Sequence, residues 1–257
     1  WLASPVLAML PHTTHAAPTP PPVTPSVCAP APGSARLRIG VADDRPPLSW
    51  TSTFRLRGIV TDYLALLPRD AIDLRPMPTP MLRQRLQQGE LDAAIGVSTR
   101  AVPTGWKVSA PLLEAPDVAV SRRQGRLLLG PDDLRGRVIA VLDPPPPPLD
   151  RITPQAHEVG SPTAALRLLE RGNVELVVGN ALLLEAARRR WRKDPLVVAS
   201  VLDTRDAAVF AVAPGCEAWL EVFTRRQSAL GEVQRDAIVD RWRTPAQAPA
   251  WGDTAPG

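Results

Sequence analysis

Lysine is almost missing from this chain. Lys107 and Lys193 stand alone among 30 cationic side chains, so the positive charge is nearly all arginine. Histidine is scarce too, with three residues, and His157 is the one that falls within the expected folded body, where a lone histidine reads as structural. Cysteine occurs twice, at Cys28 and Cys216, and neither has a CxxC partner or a nearby histidine. That pattern fits neither a metal centre nor thioredoxin-like redox chemistry. In an oxidising compartment the two would make one disulfide pinning an N-terminal linker to the body; otherwise they are two separate thiols. Aromatics make up 4% of the chain and do not interleave with its basic run, Arg188 to Lys193, which argues against a nucleic-acid surface. That run reads instead as the last turn of a helix, where cations suit the negative dipole end. No apolar run is long enough to cross a bilayer.

The first 35 residues have no charged side chain at all. Trp1 to Leu10 is a short apolar run, small residues follow, and Pro18 to Pro32 is dense in proline. The order resembles the end of a secretory signal peptide followed by an extended linker. Residues 1–34 are therefore set outside the fold, and the body is expected in the periplasm. The remainder has enough apolar content for a real core, at 44% over the whole chain, and a modest net charge of +4.

What is present is a repeated phrase. Leu86-Gln-Gln-Gly-Glu-Leu-Asp-Ala-Ala-Ile-Gly-Val-Ser98 returns as Leu168-Leu-Glu-Arg-Gly-Asn-Val-Glu-Leu-Val-Val-Gly-Asn180. Each reads as a helix ending near a glycine, then a strand that stops on small or polar residues. Ligands of open α/β sheets sit outside the carboxyl ends of their strands. Around the first phrase, Leu37–Ala42, Ala71–Met77 and Asp92–Val97 are expected strands, with helices over Gly58–Leu67 and Pro80–Gln88. Asp43 to Pro47 reads as a turn. Leu112–Ser121 and Ala207–Ala213 read as two strands crossing between lobes. Between them, Arg137–Leu142, Val174–Val178 and Leu196–Val201 are expected strands. Ser161-Pro162 opens one helix, and Ala181–Arg192 is another. Glu217–Arg243 supplies closing helices, with Trp242 packed inward. The expected body is discontinuous: lobe one spans 35–118 plus 205–245, lobe two 119–204, and a loose tail 246–257. Two crossings make a hinge.

These phrases, in this order, resemble the bacterial extracellular solute-binding proteins of family 3, the periplasmic amino-acid-binding type of Venus flytrap. The likeness is carried by Leu37-Arg-Ile-Gly-Val41, Pro46-Pro-Leu-Ser-Trp50, Gly58-Ile-Val-Thr-Asp-Tyr-Leu64, Gly89-Glu-Leu-Asp92, Leu134-Arg-Gly-Arg-Val138 and Gly172-Asn-Val-Glu175. It covers roughly residues 35–243. Gly58 to Leu64 is similar also to flytrap sensor modules of unorthodox histidine kinases. The resemblance implies an α/β protein of two lobes, each a mostly parallel sheet flanked by helices. It implies a small-molecule solute as partner, with an inner-membrane ABC permease or a sensor kinase beyond it, and no cofactor.

The departures from the family matter more. Where the family places a Thr and then a carboxylate-clamping Arg, this chain has Arg100 and Pro103; a one-residue shift would restore Arg100 to the clamp. Asp143 and five prolines stand where the family presents helix N–H groups, and proline has none to offer. Asn180 replaces the acidic partner of the α-ammonium, and Arg45 replaces an aromatic. A buried ammonium without a carboxylate is costly. The expected solute is therefore anionic, without an ammonium group.

The candidate ligand residues are Asp44, Arg45, Trp50, Gly96, Ser98, Arg100, Asp143 and Asn180. Each has a plainer reading beside it: Asp44 and Arg45 as a turn with a solvated arginine, Trp50 as core, Gly96 and Ser98 as a plain turn, Asp143 as a strand end, and Asn180 as a helix cap. No catalytic triad or metal set is present, so an enzyme is not expected; the dehydratase-like use of this fold would rest on Asp44 or Asp143 alone. A degenerate flytrap that works by protein contact is the other reading.

Overall fold

The computed structural model describes residues 28, 35–122, 131–142, 144–147, 149, 156–191 and 195–243. The segments expected as leader, linker (Cys28 aside) and tail, and the candidate Asp143, lie outside the described residues. Strand β1 (Leu37–Ala42) has a strand on either side and is almost wholly buried, as a strand covered on both faces must be. It pairs in parallel with β5 (Ile72–Met77) on one side and β6 (Ala93–Ser98) on the other. Helix α2 (Thr79–Gln87) connects β5 to β6, and it stops where Gly89 takes a left-handed φ of 68°. This is the expected β-α-β unit with its expected glycine cap.

The segment expected as a turn is instead a small antiparallel sheet: β2 (Asp44–Arg45), β3 (Ser49–Ser52) and β4 (Arg55–Arg57). The chain then reverses at Gly58, whose φ is 116° and where a Cβ would lie 2.4 Å from the Leu48 carbonyl oxygen. Only glycine fits there. The reversal lets the first amides of α1 (Ile59–Leu64), Ile59 and Val60, donate to the carbonyls of Pro47 and Leu48. The β2–β3 connection, and with it Arg45, is thereby pinned over the end of β6.

Strand β7 (Lys107–Val108) precedes β8 (Leu113–Arg122), which runs antiparallel to β12 (Leu196–Val212). Strand β12 was expected as two strands and is one of 17 residues. Beyond β8 come β9 (Ile139–Leu142), β10 (His157–Val159), helix α3 (Pro162–Glu170), β11 (Leu176–Asn180) and helix α4 (Ala181–Arg189). Ser161 holds the N-cap position of α3, but its side chain makes no capping bond. The main sheet runs β10-β9-β11-β8-β12-β6-β1-β5. Each end is a parallel trio, and β8 and β12 join the two trios antiparallel to their neighbours.

The pairing of β8 with β12 slips twice, between Val198 and Ser200 and between Val201 and Arg205. Extra residues in one strand bend it and sharpen its twist. The ladder is thus continuous by hydrogen bonding, with its register broken where the two trios meet. Helices α5 (Glu217–Ser228) and α6 (Glu232–Arg243) close the structure on the side of the β6-β1-β5 trio. Phe210 and Phe223 stack there with centroids 4.6 Å apart. Cys28 and Cys216 form a disulfide that ties the linker to the start of α5, their Cα atoms 5.0 Å apart. Among the described residues, no helix is long and apolar enough to cross a membrane.

Candidate functional site

Strands from both trios end at one small cavity. It is lined by Arg45, Gly96, Ser98, Asn180, Leu183 and Asp206, with Leu48, Leu113 and Ala208 completing its walls, and it encloses about 10 Å³. Four of the expected residues therefore converge. Gly96, at φ 70°, leaves no room for a side chain, since a Cβ would lie 2.6 Å from Val60. Asn180 does what its cap reading foresaw: its Oδ1 accepts from the amides of Leu182 and Leu183 at the start of α4. Its Nδ2 also donates to the Asp206 carbonyl at 3.4 Å, so one side chain serves cap and cavity.

Arg45 is 5% exposed, and its Nε has no hydrogen-bond partner. It enters no ion pair among the described residues. A buried guanidinium donor left unpaired is costly, and its geometry suits a planar anion.

Asp206 was missed by sequence reasoning. It sits within β12, is 8% exposed, and accepts a hydrogen bond from Ser98 Oγ at 2.7 Å. Burial pushes its carboxyl above the ordinary range, against the Ser98 hydroxyl and the charges of Arg100 and Arg45. Asn180 stands where the resemblance would place an acid, as expected, but a carboxylate reaches the cavity from the crossing strand instead.

The other expected residues lie elsewhere. Arg100 Nη2 bonds Asp117 Oδ2 at 2.6 Å and the Arg205 carbonyl at 2.7 Å. Thr204 Oγ1 donates to the same carboxylate oxygen at 2.8 Å. Arg100 thus clamps β8 to β12 beside their slipped register, and its charge is spent there. Asp44 accepts from the Thr79 amide and, at 2.6 Å, from Thr79 Oγ1, holding the start of α2. Trp50 is core: 2% exposed, it meets Trp242 edge to face at 5.4 Å. Trp242 in turn donates to Asp62 at 2.7 Å.

A wider groove of about 340 Å³ opens beside the cavity, lined by Pro47, Glu114, Ala115, Pro116, Leu182 and Glu185 among others. Its acids are already engaged, Glu114 with Arg205 and Glu185 with Arg188 and Arg189. Arg57 Nε and Arg190 Nη1 are likewise buried without a partner, but of these three arginines only Arg45 lines the small cavity.

The two sides also touch outside it. Arg83 on α2 pairs with Glu158 on β10. Gly160 packs so closely that a Cβ there would lie 2.7 Å from Thr79 Cβ.

No protein-family model matches the chain, and no curated protein matches it by sequence. Solved structures do match in fold. The chain is similar to the periplasmic VFT2 domain of BvgS from Bordetella pertussis, at 22% identity and a TM-score of 0.66, over 80% of this chain and 92% of that one. It is similar to a histidine kinase sensor domain with similarity to periplasmic binding proteins, at 20% identity and a TM-score of 0.70, over 80% and 95%. It is also similar to ArtJ, the arginine-, lysine-, histidine-binding protein of Geobacillus stearothermophilus, at 17% identity and a TM-score of 0.66, over 80% and 94%. The fold is therefore the Venus-flytrap fold found in periplasmic binding proteins and kinase sensor domains. The suspected resemblance is met by this fold.

Proposed function

We propose that the chain is a periplasmic flytrap module that shuts, by bending at β8 and β12, over a small anionic solute held at Arg45. Lobe one would then be 35–118 with 205–245, and lobe two 119–204. The observation that carries the reading is Arg45, buried and unpaired at Nε beside Gly96, Ser98 and Asn180. The slipped register of β12 gives the motion a place, and Arg83–Glu158 gives the shut form a latch. The module acts by binding and not by catalysis.

Delivery to an inner-membrane ABC permease asks for a chamber that encloses a whole solute. Small-molecule pockets measure about 300–1,000 Å³, whereas this cavity encloses about 10 Å³. That favours a second reading of the role: a sensor-type module, sealed by its own side chains, that relays its state by protein contact.

A thermal-shift and calorimetric screen of formate, acetate, longer dicarboxylates, glycine and arginine tests the binding claim. A bound ligand stabilises by mass action. The account expects carboxylates to raise the melting temperature and Arg45→Ala to abolish the shift. Stabilisation by arginine alone would refute it; no shift with any solute would leave the contact-relay reading in place of solute capture.

A further inference from the structure

We infer that a small anion enters this cleft together with one proton, which Asp206 takes up as the anion pairs with Arg45. The inference rests on the reading of Arg45 as the anion's seat and adds what the opposite wall does.

Asp206 and Arg45 line the same cavity. Asp206 Oδ1 accepts from Ser98, while its Oδ2 has no hydrogen bond among the described residues. The groups that act on this carboxylate come from several walls: Arg45 from β2, Ser98 from β6, Arg100 just beyond it and Asp117 from β8, while Asn180 at the β11–α4 junction holds the Asp206 main-chain carbonyl. Arg100 is neutralised by Asp117 at 2.6 Å. Arg45 is the positive charge that lines the cavity itself, with Arg100 acting on Asp206 from its pair with Asp117, and an anion that pairs with Arg45 offsets the nearer cation. Two negative charges would then share a desolvated cavity with a single cation. Like charges so placed raise the pKa of the one that can protonate. Burial has already moved the Asp206 carboxyl in that direction.

The step balances simply. Solvent supplies the proton, Oδ2 receives it, and the new O–H becomes a donor toward the anion. No bond in the ligand breaks. An amino acid would solve the same problem with its ammonium group and would need no proton, so the two ligand classes are separable.

The experiment is calorimetric titration of the full chain with nitrate, acetate and glycine between about pH 5.5 and 8.5, in two buffers of different ionisation enthalpy. Nitrate stays ionised throughout, so any proton taken up goes to the protein. The expected result is uptake approaching one proton per nitrate. Affinity should fall by up to about tenfold per pH unit between the pKa of free and of anion-bound Asp206. Asp206→Asn, fixed in the neutral form, should remove the uptake and raise affinity at high pH toward its low-pH level. Nitrate binding without proton uptake overturns the inference while leaving the anion seat standing. Glycine binding more tightly than acetate, with no uptake, also overturns it. Absence of binding by all three, with Arg45→Ala indistinguishable from wild type, overturns the anion seat itself and the inference with it.

Discussion

Replacing Arg100 with alanine should damage stability far more than its place on a short surface turn suggests. The residue follows β6 in a single 3-10 turn, but its guanidinium reaches the slipped region of β8 and β12. Asp117 is 1% exposed at its side chain and Arg100 15%. The pair is therefore mostly desolvated, and truncating one partner strands a buried carboxylate with only the Thr204 hydroxyl. Loss of one partner from a buried pair costs about 3–5 kcal/mol. The Arg205 carbonyl loses its donor as well. Urea unfolding followed by circular dichroism reads the cost directly. The double variant Arg100→Met/Asp117→Leu should be less damaged than Arg100→Ala, because no buried charge is left unpaired. Arg135→Ala is the internal control: its pair with Asp132 is exposed at 68% and 86%, and exposed pairs contribute little. An Arg100→Ala variant as mild as Arg135→Ala would refute the argument, as would a double variant worse than the single one.

The disulfide should matter to stability rather than to the cleft. It closes a loop of 188 residues, and the Cys28→Ser/Cys216→Ser variant should lose about 2–4 kcal/mol by the same unfolding assay, with anion binding retained. Glu185 should contribute to acid sensitivity. Hydrogen bonds from Arg188 hold its carboxyl below the ordinary range, with Arg189 adding to the effect. A depressed folded-state pKa stabilises above the unfolded value and is lost as pH falls through the folded one. Glu185→Gln should therefore flatten the decline in urea midpoint below about pH 4.5, and an unchanged decline would contradict the assignment.

The parts of the fold written in local signals were legible. Leu37–Ala42 announces itself by apolar continuity, Gly89 by ending a helix, and Asn180 by standing before a periodic helix. The hairpin of β2 to β4 was not, because Asp43-Asp-Arg-Pro-Pro carries every mark of a turn, and the pairing depends on Gly58 bending the chain back. Asp206 was hidden for a similar reason. Asp203-Thr-Arg-Asp206 reads as a polar loop between two apolar strands. Pairing with β8, some 90 residues away in sequence, makes it strand instead. In the structure exposure alternates along it, with Val201, Asp203 and Arg205 outward and Leu202 and Thr204 half-buried before Asp206 turns inward, but the residue types do not follow that alternation, so the sequence carried no signal of it. Arg100 was misplaced because sequence shows a charge near a strand end but not that Asp117, 17 residues on, already takes it.

The claim on which the rest depends is that the two trios of strands move as bodies about β8 and β12. Spin labels at Met81→Cys on α2 and Arg167→Cys on α3 place one exposed reporter on each side. Gly160→Trp then inserts a wedge where even a Cβ would crowd Thr79 and Pro80. The account predicts that the wedge lengthens the label-to-label distance by several ångström while the far-ultraviolet dichroism stays that of the parent. An unchanged distance in a folded protein would contradict it, and so would unfolding of the sheet in place of opening.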